Sequence, residues 1–325
     1  MIEIKTAPTF SISIEWENAR FAELLRTRLM LRSLRAQLIA LPAPAVPPEI
    51  TFLYDCHSID GALVERVLAE EFSYGELPAS TRIVATDGLR YYEQKNLGAA
   101  QSHADIMIFL DCDVVPEPGW LAAMLGAFDN PAVGAVGGET YIELTSFYSK
   151  AFALFWFFPL RDPSEWLEPA ARFYANNVAF RSAIFEKHPF PDLDAYRGQC
   201  LQLGRTLHDH GIGLYVQKRA RVSHPCPLGV RYFTARALHS GRDWVLLSGL
   251  YERQDKLSLK PILWTLCSNL KRAFARTAHH QHTVGLGILG TLAAYGLAGC
   301  YFTLQALGSL VTVCRRDTIA RQFKI

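Results

Sequence analysis

Short apolar runs alternate with helical patterns from about residue 9 to about residue 240, and this alternation limits the fold more than any other feature of the chain. Residues 10–14 (FSISI) read as a strand. Phe21, Leu24, Leu25, Leu31, Leu34, Leu38 and Leu41 then recur at helical spacing, predicting a helix over 21–41. The following LPAPAVPPEI ends it, because proline removes an N–H donor and clashes with the preceding turn. A strand over 50–54, a helix near 62–72, a strand over 81–85, a helical stretch closing at 99–104 and a strand over 106–110 (IMIFL) come next. Strand–helix–strand order of this kind predicts a mostly parallel α/β sheet whose ligands sit at the carboxyl ends of the strands.

The 325 residues are 50% hydrophobic and 12% aromatic, enough for a buried core in one large or two modest domains. That composition rules out a disordered chain. A net charge of +2 gives no reason to expect a polyanionic partner, so nucleic acid is not expected. The seven cysteines are scattered and contain no C-x-x-C pair, which excludes a disulfide framework or a zinc ribbon and fits reduced thiols in a cytosolic compartment. The first residues lack a basic stretch followed by an apolar one, so no secretory signal is expected. The C-terminal third has another texture: residues 284–313 are 30 positions without a charge.

Chemistry concentrates at IMIFLDCDVVPEPGWL, residues 106–121, where a buried strand runs straight into Asp111-Cys112-Asp113. Two carboxylates at the carboxyl end of a parallel strand lie where such a sheet opens its crevice. Their hard oxygens suit Mg²⁺ or Mn²⁺, ions that bind through one or two carboxylates plus substrate phosphates. The plainer reading is that the acids cap the next turn.

With its neighbours, this segment resembles the family 2 glycosyltransferases and their nucleotide-sugar-binding GT-A fold across residues 9–240. SISIEWEN (11–18) is similar to the family's first strand and donor-binding turn, which places Glu15 at the donor. FLYDCHSID (52–60) resembles its second strand, with Asp55 where the nucleotide base is held. EQKNLGAAQSHADIMIFLDCDV (93–114) resembles the stretch from a basic-Asn-x-Gly helix into the D-x-D strand. The resemblance implies nucleotide-sugar contacts at Asn96 and Asp111 and metal ligands at Asp111 and Asp113. GWLAAMLGAFDNPAVGAVGG (119–138) and YANNVAFRSAIFE (174–186) continue it, and His224 stands where many members complete the metal site.

One departure concerns the general base. The family carries Glu-Asp where RGQCLQLGRTL (197–207) here has Gln199 and Cys200. Glutamine is not basic and an ordinary thiol, with a pKa of about 8.5, is a poor substitute. Asp192 and Asp194, just upstream, are the candidate bases. The other readings are that both are solvated loop residues, or that the enzyme is divergent or inactive. The resemblance also implies inversion in one displacement, with the metal stabilising a departing diphosphate.

Other features have plain readings. His208-Asp209-His210 is not expected to bind metal, since residues two apart face different ways on a helix. His279, His280 and His282 read as interfacial polar residues. Gly137-Gly138 marks a turn or close approach, and Arg26, Arg28, Arg32 and Arg35 a solvated helix face. The run 151–160 (AFALFWFFPL) suits either core or an exposed apolar surface.

The uncharged segment exceeds the ~20 residues a helix needs to cross a bilayer. Both its flanks are basic, which sets a single span against a re-entrant hairpin; a buried soluble hairpin is the third reading. The expected layout is a catalytic domain over 1–240, interfacial helices over 241–283, a transmembrane or re-entrant segment over 284–313 and a basic tail over 314–325. The expected protein is a membrane-associated glycosyltransferase at the cytoplasmic face of the cell membrane. It would use a nucleotide-diphosphate sugar, Mg²⁺ or Mn²⁺, and a lipid-linked or envelope glycan acceptor. Its rival is a catalytically silent GT-A protein that binds nucleotide or glycan as a scaffold.

Overall fold

The computed structural model describes residues 9–17, 24–42, 46–72, 77, 79–227, 229–249 and 259–323. Two compact units divide the chain. One comprises Met1–Tyr141, Arg161–Asp192 and Gln199–Pro225; the other comprises Ile142–Leu160, Leu193–Gly198 and Cys226–Ile325.

The first unit begins β1 (Phe10–Glu15), α1 (Leu24–Ala40), β2 (Glu49–Asp55), α2 (Gly61–Glu71), β3 (Ser80–Thr86), α3 (Tyr91–Ala100) and β4 (Ile106–Asp111). The four strands lie in the order β3-β2-β1-β4, all parallel. β1 and β4 are buried at every position, which explains their near-continuous apolar sequence: helices cover both faces of such a sheet. Asp60 caps α2 by accepting from the Ala62 N–H at 3.0 Å. α3 lies so close to β1 that a Cβ on Gly98 would stand 2.1 Å from Ser13 Oγ.

Beyond β4 the pairing changes. β5 (Val115–Pro116), α4 (Trp120–Gly126) and β6 (Ala135–Ile142) follow, then, in the second unit, α5 (Phe147–Phe155). The first unit resumes with β7 (Leu167–Pro169), β8 (Asn177–Arg181), α6 (Ser182–Lys187), α7 (Gln199–Asp209) and β9 (Leu214–His224). β8 runs antiparallel to both β4 and β6, and β9 antiparallel to β5 and β7. The parallel order anticipated from strand–helix alternation therefore extends as far as β4. Gly138 is a close-approach position: a Cβ there would meet Ala220 O at 2.2 Å and Asn177 Nδ2 at 2.3 Å.

The second unit is helical, with α5, α8 (Val230–Leu247), α9 (Lys260–His280), α10 (Ile288–Cys314) and α11 (Thr318–Gln322). α10 packs on α8, α9 and α5. At its crossing with α8 the two backbones nearly touch: a Cβ on Gly241 would be 2.0 Å from Gln305 O, and one on Gly308 2.2 Å from Leu238 O. The run 151–160 is mostly core; Phe152, Phe155, Trp156 and Phe158 are buried while Phe157 is exposed. Phe155 and Trp156 meet the Tyr301 ring at centroid separations of 5.3 and 5.8 Å. Buried Asp243 accepts from the N–H groups of Tyr196 and Arg197 at 2.8 and 2.9 Å, tying the 193–198 segment to α8. The uncharged run contains no reversal within α10, which is one continuous helix.

Candidate functional site

The site is built where β1 and β4 end side by side, Glu15 standing opposite Asp111 in the parallel register. Glu15, Asp111 and Asp113 are all buried, so three carboxylates share a space withdrawn from water. Such a cluster needs cations, because an isolated buried charge is strongly disfavoured. One is supplied by α3. Lys95, itself fully buried, lies 2.7 Å from Asp111 Oδ1. Tyr91, one turn earlier on the same helix face, donates to Asp111 Oδ1 and Oδ2 at 2.7 and 2.9 Å. Asp111 thus holds a buried salt bridge rather than two vacant lone pairs.

Glu15 is less well compensated. Its Oε2 accepts from the Glu17 N–H at 2.8 Å, while Oε1 is buried with no hydrogen-bond partner among the described residues. Burial above all, then the negative charge of Asp111, pushes its pKa well up; Lys95 pulls the other way. Between the two aspartates Cys112 is buried, and burial raises its thiol well above the usual range, so the middle residue stays neutral.

Arg26 of α1 reaches the turn that follows. It donates through Nε to Asp113 O at 2.9 Å, and through Nη2 to Ser223 O at 2.6 Å and Ser223 Oγ at 2.7 Å. One guanidinium therefore ties the Asp113 turn to the end of β9, the strand that terminates at His224. A carbonyl can only accept, so the 2.6 Å contact from His224 Nδ1 to Pro225 O makes Nδ1 the donor and leaves the lone pair on Nε2. That tautomer is the one a metal-binding imidazole needs. The solvated helix face expected for the arginines of α1 is corrected for Arg26, which braces the site; Arg32 is exposed as expected, and it and Arg28 bond buried Glu71.

Asp55 ends β2, where its oxygens accept from Ser58 Oγ at 2.6 Å and Gly88 N at 2.9 Å. The Ser58 hydroxyl is the main cause that lowers its pKa. Asp55, Cys56 and His57 bring ligand-type atoms within 4.8 Å of one another, a cluster the sequence did not announce. Asn96 clamps the main chain of Phe190, donating to its O at 2.9 Å and accepting from its N at 3.1 Å. It thus fixes the loop leading to Asp192. Asp192 is exposed and paired with Arg90 at 2.5 Å. Asp194, which belongs to the second unit, pairs with Arg316. Gln199 is buried at the start of α7, and Cys200 Sγ lies 3.5 Å from Tyr92 OH.

Further along the sheet, Glu117 binds Arg161, Tyr141 and Arg221 at 2.7, 2.7 and 2.9 Å. Burial raises its pKa, but these three donors outweigh burial and hold it at about 2. Glu139 shows the opposite balance: burial dominates and its pKa is raised, with Lys218 3.6 Å away. Sequence reasoning missed Lys95, Tyr91 and Arg26. The available signal was the Tyr-x-x-x-Lys spacing immediately before Asn96, which puts both groups on one helix face.

A parallel half-sheet that carries a D-x-D turn at its carboxyl edge and continues into antiparallel strands defines the GT-A class of nucleotide-sugar transferase folds. Residues 51–188 match the family described as "Glycosyl transferase family 2", so this part of the chain carries that family's domain. The fold is similar to that of the mannosyltransferase PcManGT from Pyrobaculum calidifontis, solved with GDP-Man and Mn²⁺, at 15% identity and TM-score 0.54 over 98% of this chain and 90% of that one. It is also similar to TarS 1–349 of S. aureus, solved with UDP-GlcNAc, at 13% identity and TM-score 0.52 over 98% and 93%. GalNAc-T7, solved with UDP, GalNAc and Mn²⁺, is matched at 13% identity and TM-score 0.52 over 72% of this chain and 51% of that one. No curated protein matches the chain by sequence.

Proposed function

We propose that this glycosyltransferase moves a sugar from a nucleotide-diphosphate donor to a hydroxyl acceptor, with a divalent cation held by Asp113 and His224. The observation that carries the reading is the buried acidic end of β1 and β4. Glu15, Asp111 and Asp113 gather there with Lys95 against Asp111, and the Oε1 atom of Glu15 lacks a hydrogen-bond partner among the described residues. A hard cation suits such a buried carboxylate cluster, and oxygen with imidazole nitrogen is a donor set for Mn²⁺ or Mg²⁺. Neighbours of the same fold that were solved with Mn²⁺, one with GDP-Man and one with UDP and GalNAc, support it. When bound, the ion would offset negative charge on the departing diphosphate. Asp111, fixed by Lys95 and Tyr91, orders the turn that presents Asp113. Arg26 keeps that turn against the strand bearing His224. Asp55 closes the loop where a base would lie.

The reaction would invert the anomeric centre, with Asp192 or Asp194 taking the proton of the acceptor hydroxyl. The acceptor would be a lipid-linked or envelope glycan precursor, because α10 is long and apolar enough to hold the protein at a membrane, here read as the cytoplasmic face. The rival reading, a silent member that binds nucleotide as a scaffold, draws on Gln199 and Cys200 and on the arginine partners of both aspartates. Calorimetric titration with UDP and GDP, with and without Mn²⁺, tests the donor site. Metal-dependent binding that Asp113→Ala abolishes is the expected result; metal-independent binding, or none in folded protein, overturns it. Turnover by wild type that Asp192→Asn or Asp194→Asn removes separates enzyme from scaffold.

A further inference from the structure

α10 carries an exposed apolar stripe and buries several of its polar residues. Its polar residues Thr291, Ser309 and Thr312 are buried together with Gly308, and Ser309 Oγ donates to Gly241 O at 3.1 Å. Tyr301 and Phe302 are buried beside them, but four of its large aliphatic residues point outward: Ile288 is 82% exposed, Leu289 81%, Leu292 60% and Leu307 47%. With Gly296, Cys300 and Thr303, also exposed, they form a stripe at three- and four-residue spacing that carries no charge over the helix length.

The inner face decides how such a helix meets lipid. Its middle is held by α8, where Ser240 Oγ lies 3.1 Å from Tyr301 OH, and α8 carries the buried charges of Arg236, Arg242 and Asp243. α9 holds it too: Asn269 donates to Gln305 Oε1 at 3.1 Å, and the Phe274 and Tyr295 rings stand 4.9 Å apart. Exposed Lys271 and Arg272 lie on α9 beside Phe274. Were α10 to cross a bilayer, α8 and α9 would be drawn to the same depth with these charges, the costliest side chains to place in hydrocarbon. A helix that packs on charged neighbours along one side and is apolar along the other satisfies both faces only by lying in the plane of the membrane surface.

Charge agrees. Residues 226–325 contain thirteen lysines and arginines against four aspartates and glutamates, a net +9 in a chain whose total is +2. Anionic headgroups complement that excess. We therefore propose that the helical unit docks on an anionic lipid surface with α10 lying in plane, its Leu289–Leu307 stripe in the acyl boundary and Lys271, Arg272 and Arg315 among the headgroups. This deepens the membrane reading above and rests on it.

The test uses full-length protein purified without detergent and added to preformed vesicles of phosphatidylcholine, alone or with an equal part of phosphatidylglycerol. Flotation with the anionic vesicles, release by high salt or alkaline wash, and protease access to the C-terminal tail from the side of addition are expected. Lys271→Gln with Arg272→Gln should lower partitioning about thirtyfold on anionic vesicles, since each basic residue near the surface contributes about a factor of five. Leu289→Asp, at a solvent-facing position that leaves folding intact, should weaken binding to both vesicle types. Protein that stays in the membrane through alkaline wash with its tail shielded refutes the in-plane geometry and leaves membrane attachment standing. Absence of flotation by folded protein refutes both. A dimer in solution that Leu289→Asp dissolves would assign the stripe to a second copy instead.

Discussion

Lys95→Met tests the account of the acidic site most directly. Lys95 Nζ and Asp111 Oδ1 are 2.7 Å apart with side chains 0% and 4% exposed, so water screens the pair little. At that distance the attraction is about 6 kcal/mol with an effective dielectric constant near 20. After relaxation, deleting one partner of a buried pair costs roughly 3–5 kcal/mol. Methionine fills nearly the same volume, so this loss is electrostatic and not a cavity effect. The deficit must depend on pH. Glu15 already has a raised pKa, and Lys95 is the group that restrains it. A carboxyl whose folded pKa is raised contributes its full stability below the ordinary value near 4.5 and loses it as pH climbs through the raised value. With Lys95 gone that loss deepens, so the variant should fall short of wild type by more at about pH 8 than at about pH 5. Denaturant midpoints at the two pH values measure both quantities. A variant within about 1 kcal/mol of wild type at the higher pH, or one with equal deficits at both, would show that Lys95 does not balance the carboxylates.

Three further outcomes are expected. Arg26→Ala should weaken Mn²⁺-dependent nucleotide binding about tenfold, the usual effect of losing a group that orients a metal ligand; calorimetry returning wild-type affinity would detach Arg26 from the site. Asp243, pushed up to about 6 by burial against the restraint of two N–H donors and two arginines, contributes fully below its ordinary value of 3.8 and less as pH rises through 6. Asp243→Asn should flatten that part of the stability profile, which amounts to about 3 kcal/mol between its ends, as urea titrations on both sides of pH 6 will read. Gly308→Leu should cost about 3 kcal/mol or more by forcing α10 off the Leu238 carbonyl, seen as a lowered melting temperature.

How much of this was legible in the sequence follows from burial. β1 to β4 come within a residue of their expected limits; β1 and β4, buried at every position, are the plainest because strands covered on both faces must be continuously apolar. β9 was opaque: LYVQKRARVSH reads as a surface stretch, yet Arg221 is buried against Glu117 and Lys218 lies beside Glu139. Those acids are 104 and 79 residues away, beyond the reach of any local pattern. The D-x-D turn stood out because two acids interrupt an apolar strand. Lys95 did not, since a lysine in a helix reads as solvated until its partner on another element is known. Arg26 was hidden the same way, its acceptors being carbonyls and a hydroxyl of distant turns.

The change of strand direction at β4 has a consequence for biosynthesis. One edge of β4 is satisfied by β1, which is already made; the other waits for β8, whose first residue comes 66 positions after Asp111. At roughly 5–20 residues per second a ribosome needs several seconds to supply it. Throughout that interval IMIFLD presents a bare hydrogen-bonding edge of the kind that pairs with other chains. The nascent protein is thus most exposed to misassembly once its first third is complete, and a truncation ending between these strands would leave that edge permanently open.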